Sequence, residues 1–208
     1  MLSYYLGIEV KQQQKTVTLR QSAYAKKLLE KAGLQGCNPC QTPMEARLKL
    51  TKVCEASEVH PTTYRSLVGG LWYLVHTWPD IAFAVGYVSR YMERPREDHM
   101  AAVKHILRYI AGTVEFGLVF PRHGNKELHL VGFSDSDLGV DVDDRKSTTG
   151  IIFFLGDMPV AWQPQKQRVV ALSSYEAEYM PGQQQHARRC GWRDFGVTWR
   201  DASYGSPS

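Results

Sequence analysis

Cysteine is scarce in this 208-residue chain: four residues, at 37, 40, 54 and 190, too few and too scattered for a disulfide framework. Cys37-Asn38-Pro39-Cys40 makes a single C-x-x-C, with neither the strand–helix setting of a redox motif nor a second ligand pair for zinc. Such usage fits a reducing intracellular setting, cytoplasmic or nuclear. No apolar run approaches the roughly 18 residues of a helical membrane span. Met1-Leu2-Ser3-Tyr4-Tyr5 lacks the basic segment and apolar stretch of a secretory signal, so neither a membrane nor an exported role is expected. No internal repeat is visible.

What is present is ordinary in bulk. Apolar residues make up 43% and charged residues 22%, enough to bury one large core or two small ones. The formal net charge of +4 suits contact with a polyanion and equally suits a solvated basic surface.

Tyr4–Val10 and Thr16–Arg20 read as two strands joined by the polar run Lys11 to Lys15. Ser22 is positioned to cap a helix running to about Ala32, with Ala25, Leu28 and Leu29 on one face and Gly33 as its stop. Residues 45–60 read as a charged, poorly ordered linker. An apolar helical pair follows from Tyr64 to Met92, broken at Pro79, where a second helix can begin. A third helix spans about Arg96 to Ala111, with Val103, Ile106, Leu107 and Ile110 at helical spacing and Gly112 as C-terminal cap. Lys104, His105 and Arg108 share its other face and are the candidates for phosphate-backbone contact, against the alternative of a solvated helix face.

The segment from Gly132 to Met180 organises the rest. An apolar run, Leu128 to Phe133, delivers Asp135 and Asp137 at its end; Ile151–Leu155 and Pro159–Trp162 give two further strands at hairpin spacing. Ser173 and Glu176 form a capping-box pattern that opens a helix carrying Glu178. An Asp leaving a strand and a Glu on a following helix can face one another across a sheet end, half of a magnesium site suited to phosphodiester chemistry. Asp141, Asp143 and Asp144 read as a solvated turn, and the order of acids and Gly does not match a calcium loop. Ser173, Ser174 and His186 lack an orienting Asp, so a serine hydrolase is not expected. Trp162, Tyr175 and Tyr179 could stack on bases, but core packing is the plainer role.

Three blocks of this segment resemble the ribonuclease H domain of copia-type LTR retrotransposon Pol polyproteins: Phe133-Ser134-Asp135-Ser136-Asp137, Asp143 to Gly150, and Ala171 to Tyr179. Upstream, Leu6-Gly7-Ile8-Glu9 and Thr42-Pro43-Met44 resemble the end of the same family's reverse transcriptase palm. Tyr64 to Gly69, Trp78-Pro79-Asp80-Ile81 and Leu107-Arg108-Tyr109 resemble its thumb and connection region. The resemblance implies an α+β or α/β organisation: the end of a palm over 1–45, a helical thumb and connection region over 46–113, and a truncated ribonuclease H-like mixed sheet over 114–180. It implies Asp135 and Glu178 as magnesium ligands and catalytic carboxylates, and an RNA–DNA hybrid or single-stranded nucleic acid as partner. The parent activities are RNA-directed DNA synthesis and hydrolysis of RNA in hybrids. The family's other acidic positions lie in later motifs, one of the form Cys-Asp-Asn-Gln, and none occurs before Ser208. The expectation is therefore an incomplete site, inactive alone, with weak magnesium binding. The rivals are a non-catalytic nucleic-acid-binding module and a protein-interaction module, the latter self-associating through an uncovered sheet edge.

After Met180 the resemblance stops. Pro181 would remove a hydrogen bond from the helix carrying Glu178, at a cost of about 3 kcal/mol. Gln183-Gln184-Gln185-His186 requires codons CAR CAR CAR CAY, and one base earlier these read as Ala or Thr. Residues 181–208 are accordingly expected to be a frameshifted, disordered tail.

Overall fold

The structure, a computed structural model, describes residues 3–46, 48–53, 55–121, 129–136, 143, 146, 148–167 and 197–201. It divides into two compact units, Met1–Gly124 and Asn125–Ser208. That division falls beyond the 113/114 boundary drawn from sequence. The reason is the strand Leu118–Pro121, which follows the helix ending at Thr113 and returns to the first sheet.

Unit 1 contains a four-stranded antiparallel sheet in the order β1 (Tyr4–Tyr5), β2 (Ile8–Gln12), β3 (Thr16–Arg20) and β4 (Leu118–Pro121). Val10, Leu19 and Leu118 lie side by side across the three longer strands. The continuous strand expected over Tyr4–Val10 is in fact a tight hairpin. Leu6 and Gly7 both have positive φ, 46° and 82°, which is what a two-residue turn between twisted strands requires. Gly7 adopts this freely; Leu6 does so with its side chain 72% exposed. At the far edge Gly117 lets β4 close in, since a Cβ there would stand 2.3 Å from the Leu19 carbonyl oxygen.

Four helices pack together in the same unit: α1 (Ser22–Lys31), α2 (Pro61–Leu74), α3 (Ala82–Val88) and α4 (Glu97–Thr113). Ser22 is the first helical residue rather than the cap, and its hydroxyl donates to the Val114 carbonyl instead. The free N–H of Ala23 goes to the Glu9 carboxylate at 2.9 Å, so an anion from β2 sits at the positive end of α1. Gly33, at φ +66°, ends α1 as read, with Leu34 N–H bonded back to the Leu29 carbonyl. Pro61 occupies the first turn of α2, where its missing N–H costs nothing. Gly70 of α2 meets Leu28 of α1, a contact close enough that a Cβ would stand 2.6 Å from a Leu28 methyl. The break at Pro79 is a 3-10 turn, Pro79–Ile81, leading into α3. Gly112 does not cap α4 but lies within it, backed against Pro39. Leu71, Leu74, Ile81, Val85, Leu107 and Ile110 are wholly buried between these helices. Each contributes on the order of 1.5–3 kcal/mol of burial.

Residues 48–53 and 55–59, within the 45–60 stretch read from sequence as a poorly ordered linker, are fastened to the helices as a strap. Leu50 is buried; its N–H donates to the Tyr87 hydroxyl and its carbonyl accepts from Tyr91. Tyr87 in turn donates to the Leu48 carbonyl. Further along, Val59 and Glu97 N–H groups bond to the Pro95 and Ser57 carbonyls, and Arg96 reaches the Ala56 carbonyl at 2.8 Å. The composition of 48–59 is that of a loop because its partners are backbone groups, and those leave no trace in its own hydropathy.

Unit 2 is built on a mixed sheet in the order β7 (Met158–Lys166), β6 (Thr148–Leu155), β5 (Leu130–Ser136), β8 (Val197–Asp201). The first three form an antiparallel meander, with a register irregularity at Phe153/Phe154 and a turn at Gly156, φ +60°. β8 pairs with β5 in parallel. Residues 197–201, which lie in the stretch read from sequence as a frameshifted tail, form this strand, so β5 has a neighbour on both sides. Val-Thr-Trp-Arg-Asp alternates β-branched and aromatic residues with polar ones, a pattern that fits a pleated strand whatever its origin.

Candidate nucleic-acid interface and acidic strand end

The basic face of α4 is divided in its duties. Lys104 is exposed. His105 is turned inward, with Nε2 at 3.0 Å from the Thr42 carbonyl and Nδ1 at 3.7 Å from Glu45. Arg108 donates from Nε to the Asn38 carbonyl at 2.8 Å, and its own carbonyl accepts from Cys40 N–H. Two of the three residues read as phosphate contacts therefore hold the 37–45 segment against the helix. Arg108 donates through Nε and keeps the rest of its guanidinium edge.

Asp135 lies near the C-terminal end of β5, the strand flanked by neighbours on both sides, directly opposite Gly150 of β6. Gly150 leaves open space where a side chain would stand. By parallel register, Ser134 sits beside Asp201 of β8, so the backbone brings a second acidic position to the same sheet end. Sequence reading missed Asp201; its signal was the alternating strand pattern that precedes it. Glu178, Glu176, Tyr175 and Tyr179 fall outside the described residues, as do Asp137, Asp141 and Asp144. Asp143 is exposed, and Trp162 is half-buried on β7 opposite Ile152. A carboxylate at a strand end is the hard oxygen donor that magnesium takes. Among the described residues no three His, Cys, Asp or Glu side chains converge as a metal site.

Three tyrosines in unit 1 have hydroxyls pushed up from the ordinary tyrosine value, Tyr24 among them through burial and the neighbouring Tyr73. Partial burial, then a hydrogen bond to the Asp80 carboxylate, pushes Tyr109 up to about 12. Deep burial and the charge of Asp98 push Tyr64 higher still, and its hydroxyl donates to the Val88 carbonyl. Tyr109 and Tyr64 are proton-holding structural groups. Trp78 is buried and donates to Thr113. Among the described residues no helix is long and apolar enough to cross a membrane.

Residues 1–46 match the family of reverse transcriptases (RNA-dependent DNA polymerases). The chain is 43% identical over 178 residues to the retrovirus-related Pol polyprotein from transposon RE2 of Arabidopsis thaliana, covering 86% of this chain and 12% of that protein. It is 41% identical over 169 residues to the corresponding polyprotein from transposon TNT 1-94 of Nicotiana tabacum, covering 78% of this chain and 12% of that one. An uncharacterized mitochondrial protein of Arabidopsis thaliana, AtMg00810, is 38% identical over 176 residues, which are 85% of this chain and 72% of its own length. No solved structure matches. The chain thus spans about an eighth of the Pol polyproteins it matches and most of the shorter relative. It belongs to the family of retrovirus-related Pol polyproteins from copia-type retrotransposons.

Proposed function

We propose that this chain is a reverse transcriptase and ribonuclease H segment of a copia-type Pol polyprotein, holding nucleic acid without cutting it as a 208-residue chain. Unit 1 takes the end of the palm and the helical thumb and connection region; unit 2 takes the ribonuclease H-like part. The observation that carries this reading is the position of Asp135: near the end of β5, within a mixed sheet, opposite Gly150. In that role Asp135 and Glu178 are the remnant magnesium ligands and catalytic carboxylates of the parent site. Magnesium, when bound, would polarise a phosphodiester and supply hydroxide for in-line attack. Asp135 would contribute one oxygen ligand and Glu178 another, and weak binding follows from so small a donor set. Lys104 and the remaining guanidinium edge of Arg108 serve the phosphate backbone, His105 only through the segment it holds.

The test is incubation of the purified chain with a labelled RNA–DNA hybrid and magnesium. Binding that weakens steeply with salt, without cleavage, is the expected result. Cleavage that disappears in Asp135→Asn, Glu178→Gln or Asp201→Asn would overturn the non-cutting role. Absence of any salt-dependent binding would overturn the nucleic-acid role. A second reading, a protein-interaction module, rests on Tyr4, Tyr5 and Leu6, exposed by 58%, 58% and 72% at the first hairpin. Concentration-dependent association without nucleic acid, lost on Leu6→Asn, would favour it.

A further inference from the structure

Cys40, His105 and Glu45 form a cluster of which the proposed function uses only the hold of His105 on the 37–45 segment. The Cys40 sulfur lies 3.9 Å from His105 Nδ1, within reach of an S–H···N hydrogen bond. On the other side of the ring, Nε2 is 3.0 Å from the Thr42 carbonyl. A carbonyl only accepts, so Nε2 carries the hydrogen and Nδ1 of the neutral ring is left as an acceptor facing the thiol. Glu45 Oε1 stands 3.7 Å from the same Nδ1, placed to steady the imidazolium once a proton arrives. A nucleophile within reach of a base, and a base oriented by a third group, is the arrangement that activates cysteine in nucleophilic chemistry. The cysteine is half-buried and the imidazole 20% exposed, so a small reagent can reach both.

The neighbouring Cys37 does not share this setting. Both cysteines of the C-x-x-C are free thiols, and His105 stands against the sulfur of Cys40.

We propose that Cys40 is a reversible thiol-modification site for small-molecule disulfides of the glutathione class, with His105 as its base and Glu45 positioning the charge. The Cys40 sulfur attacks one sulfur of the reagent as its proton passes to Nδ1. The reagent's S–S bond breaks, a Cys40 mixed disulfide forms, and the departing thiolate takes the proton back from the imidazolium. One thiol and one disulfide are consumed and one thiol and one disulfide are made, so no other oxidant is needed. The added group stands between the 37–45 segment and α4, where Arg108 to Asn38, Cys40 to Arg108 and His105 to Thr42 now make their bonds. Modification thus unfastens this segment.

The experiment exposes the full chain to oxidised glutathione and follows each cysteine by mass spectrometry, with Cys37 as the internal control for access. Cys40 is expected to react about tenfold or more faster than Cys37. His105→Gln, which keeps a donor for the Thr42 carbonyl but has no base, should bring the ratio near one. Added imidazole should restore part of the advantage in His105→Ala, a rescue that a purely structural histidine would not show. Deuterium exchange at Cys40 N–H should rise in the adduct and return after reduction. Equal rates at Cys37 and Cys40 in the unaltered chain, a ratio unchanged by His105→Gln, or no imidazole rescue would each overturn the proposal.

Discussion

His99 caps Arg96 at the start of α4: its Nδ1 accepts the Arg96 N–H at 3.0 Å. The other ring nitrogen, Nε2, donates to the Thr51 carbonyl at 2.9 Å, and the ring stacks on Tyr91 with centroids 4.0 Å apart. One fully buried imidazole thus ties a helix end, a strap and an aromatic wall together. Replacing it leaves the Arg96 N–H and the part-buried Thr51 carbonyl without this partner. His99→Ala should destabilise unit 1 by about 2–4 kcal/mol, read as a lower urea midpoint at unchanged slope. A loss under about 0.5 kcal/mol would contradict the assignment.

The strap should be held by the two tyrosine hydroxyls rather than by its own sequence. Tyr91→Phe removes one bond to Leu50 and should cost about 1 kcal/mol. Tyr87→Phe removes two and should cost somewhat more. The double variant should deviate from additivity, since both hold one residue. Limited proteolysis is expected to cut within 48–53 first in these variants; unchanged resistance there would count against the strap.

Two glycines should respond with opposite signs. Gly69, on the exposed face of α2, has nothing within 4 Å of a built Cβ, so Gly69→Ala should stabilise by about 0.5–1 kcal/mol through helix propensity. Gly117→Ala would drive a methyl against the Leu19 carbonyl and must move β4, costing on the order of 1–3 kcal/mol. Thermal unfolding of the pair decides this, and equal shifts would refute it.

Tyr109 should ionise late. Its folded value of about 12, raised by burial and by Asp80, stands above the ordinary tyrosine value of 10.0. Because the folded value is the raised one, the stabilisation is complete below pH 10 and is lost as pH climbs toward 12. The phenolate absorbance missing from Tyr109→Phe should belong to the latest part of the titration, and Asp80→Asn should move it earlier. A missing component centred near pH 10 would disprove the contact.

How much of this was legible from residues alone depends on how local the cause is. Helical spacing at Val103, Ile106, Leu107 and Ile110 marked α4, and all four are buried as read. Pro79 and Gly33 acted within a few residues of themselves, as steric effects do. The strands at 130–136, 148–155 and 158–166 were likewise announced by their own apolar runs, although their ends extended beyond the readable core of each.

The sequence by itself determined the family, the helical block and the strand carrying Asp135, because dense motifs and periodic burial are properties of short windows. Only the tertiary structure decided what lay between distant residues. It put Ser22 on Val114, fastened residues 48–51 to Tyr87, Tyr91 and His99, and gave β4 to the first sheet. It also turned His105 from the surface toward Thr42 and Cys40. These outcomes rest largely on hydrogen bonds to backbone groups, which every residue offers alike, so composition does not reveal which backbone group a partner will find.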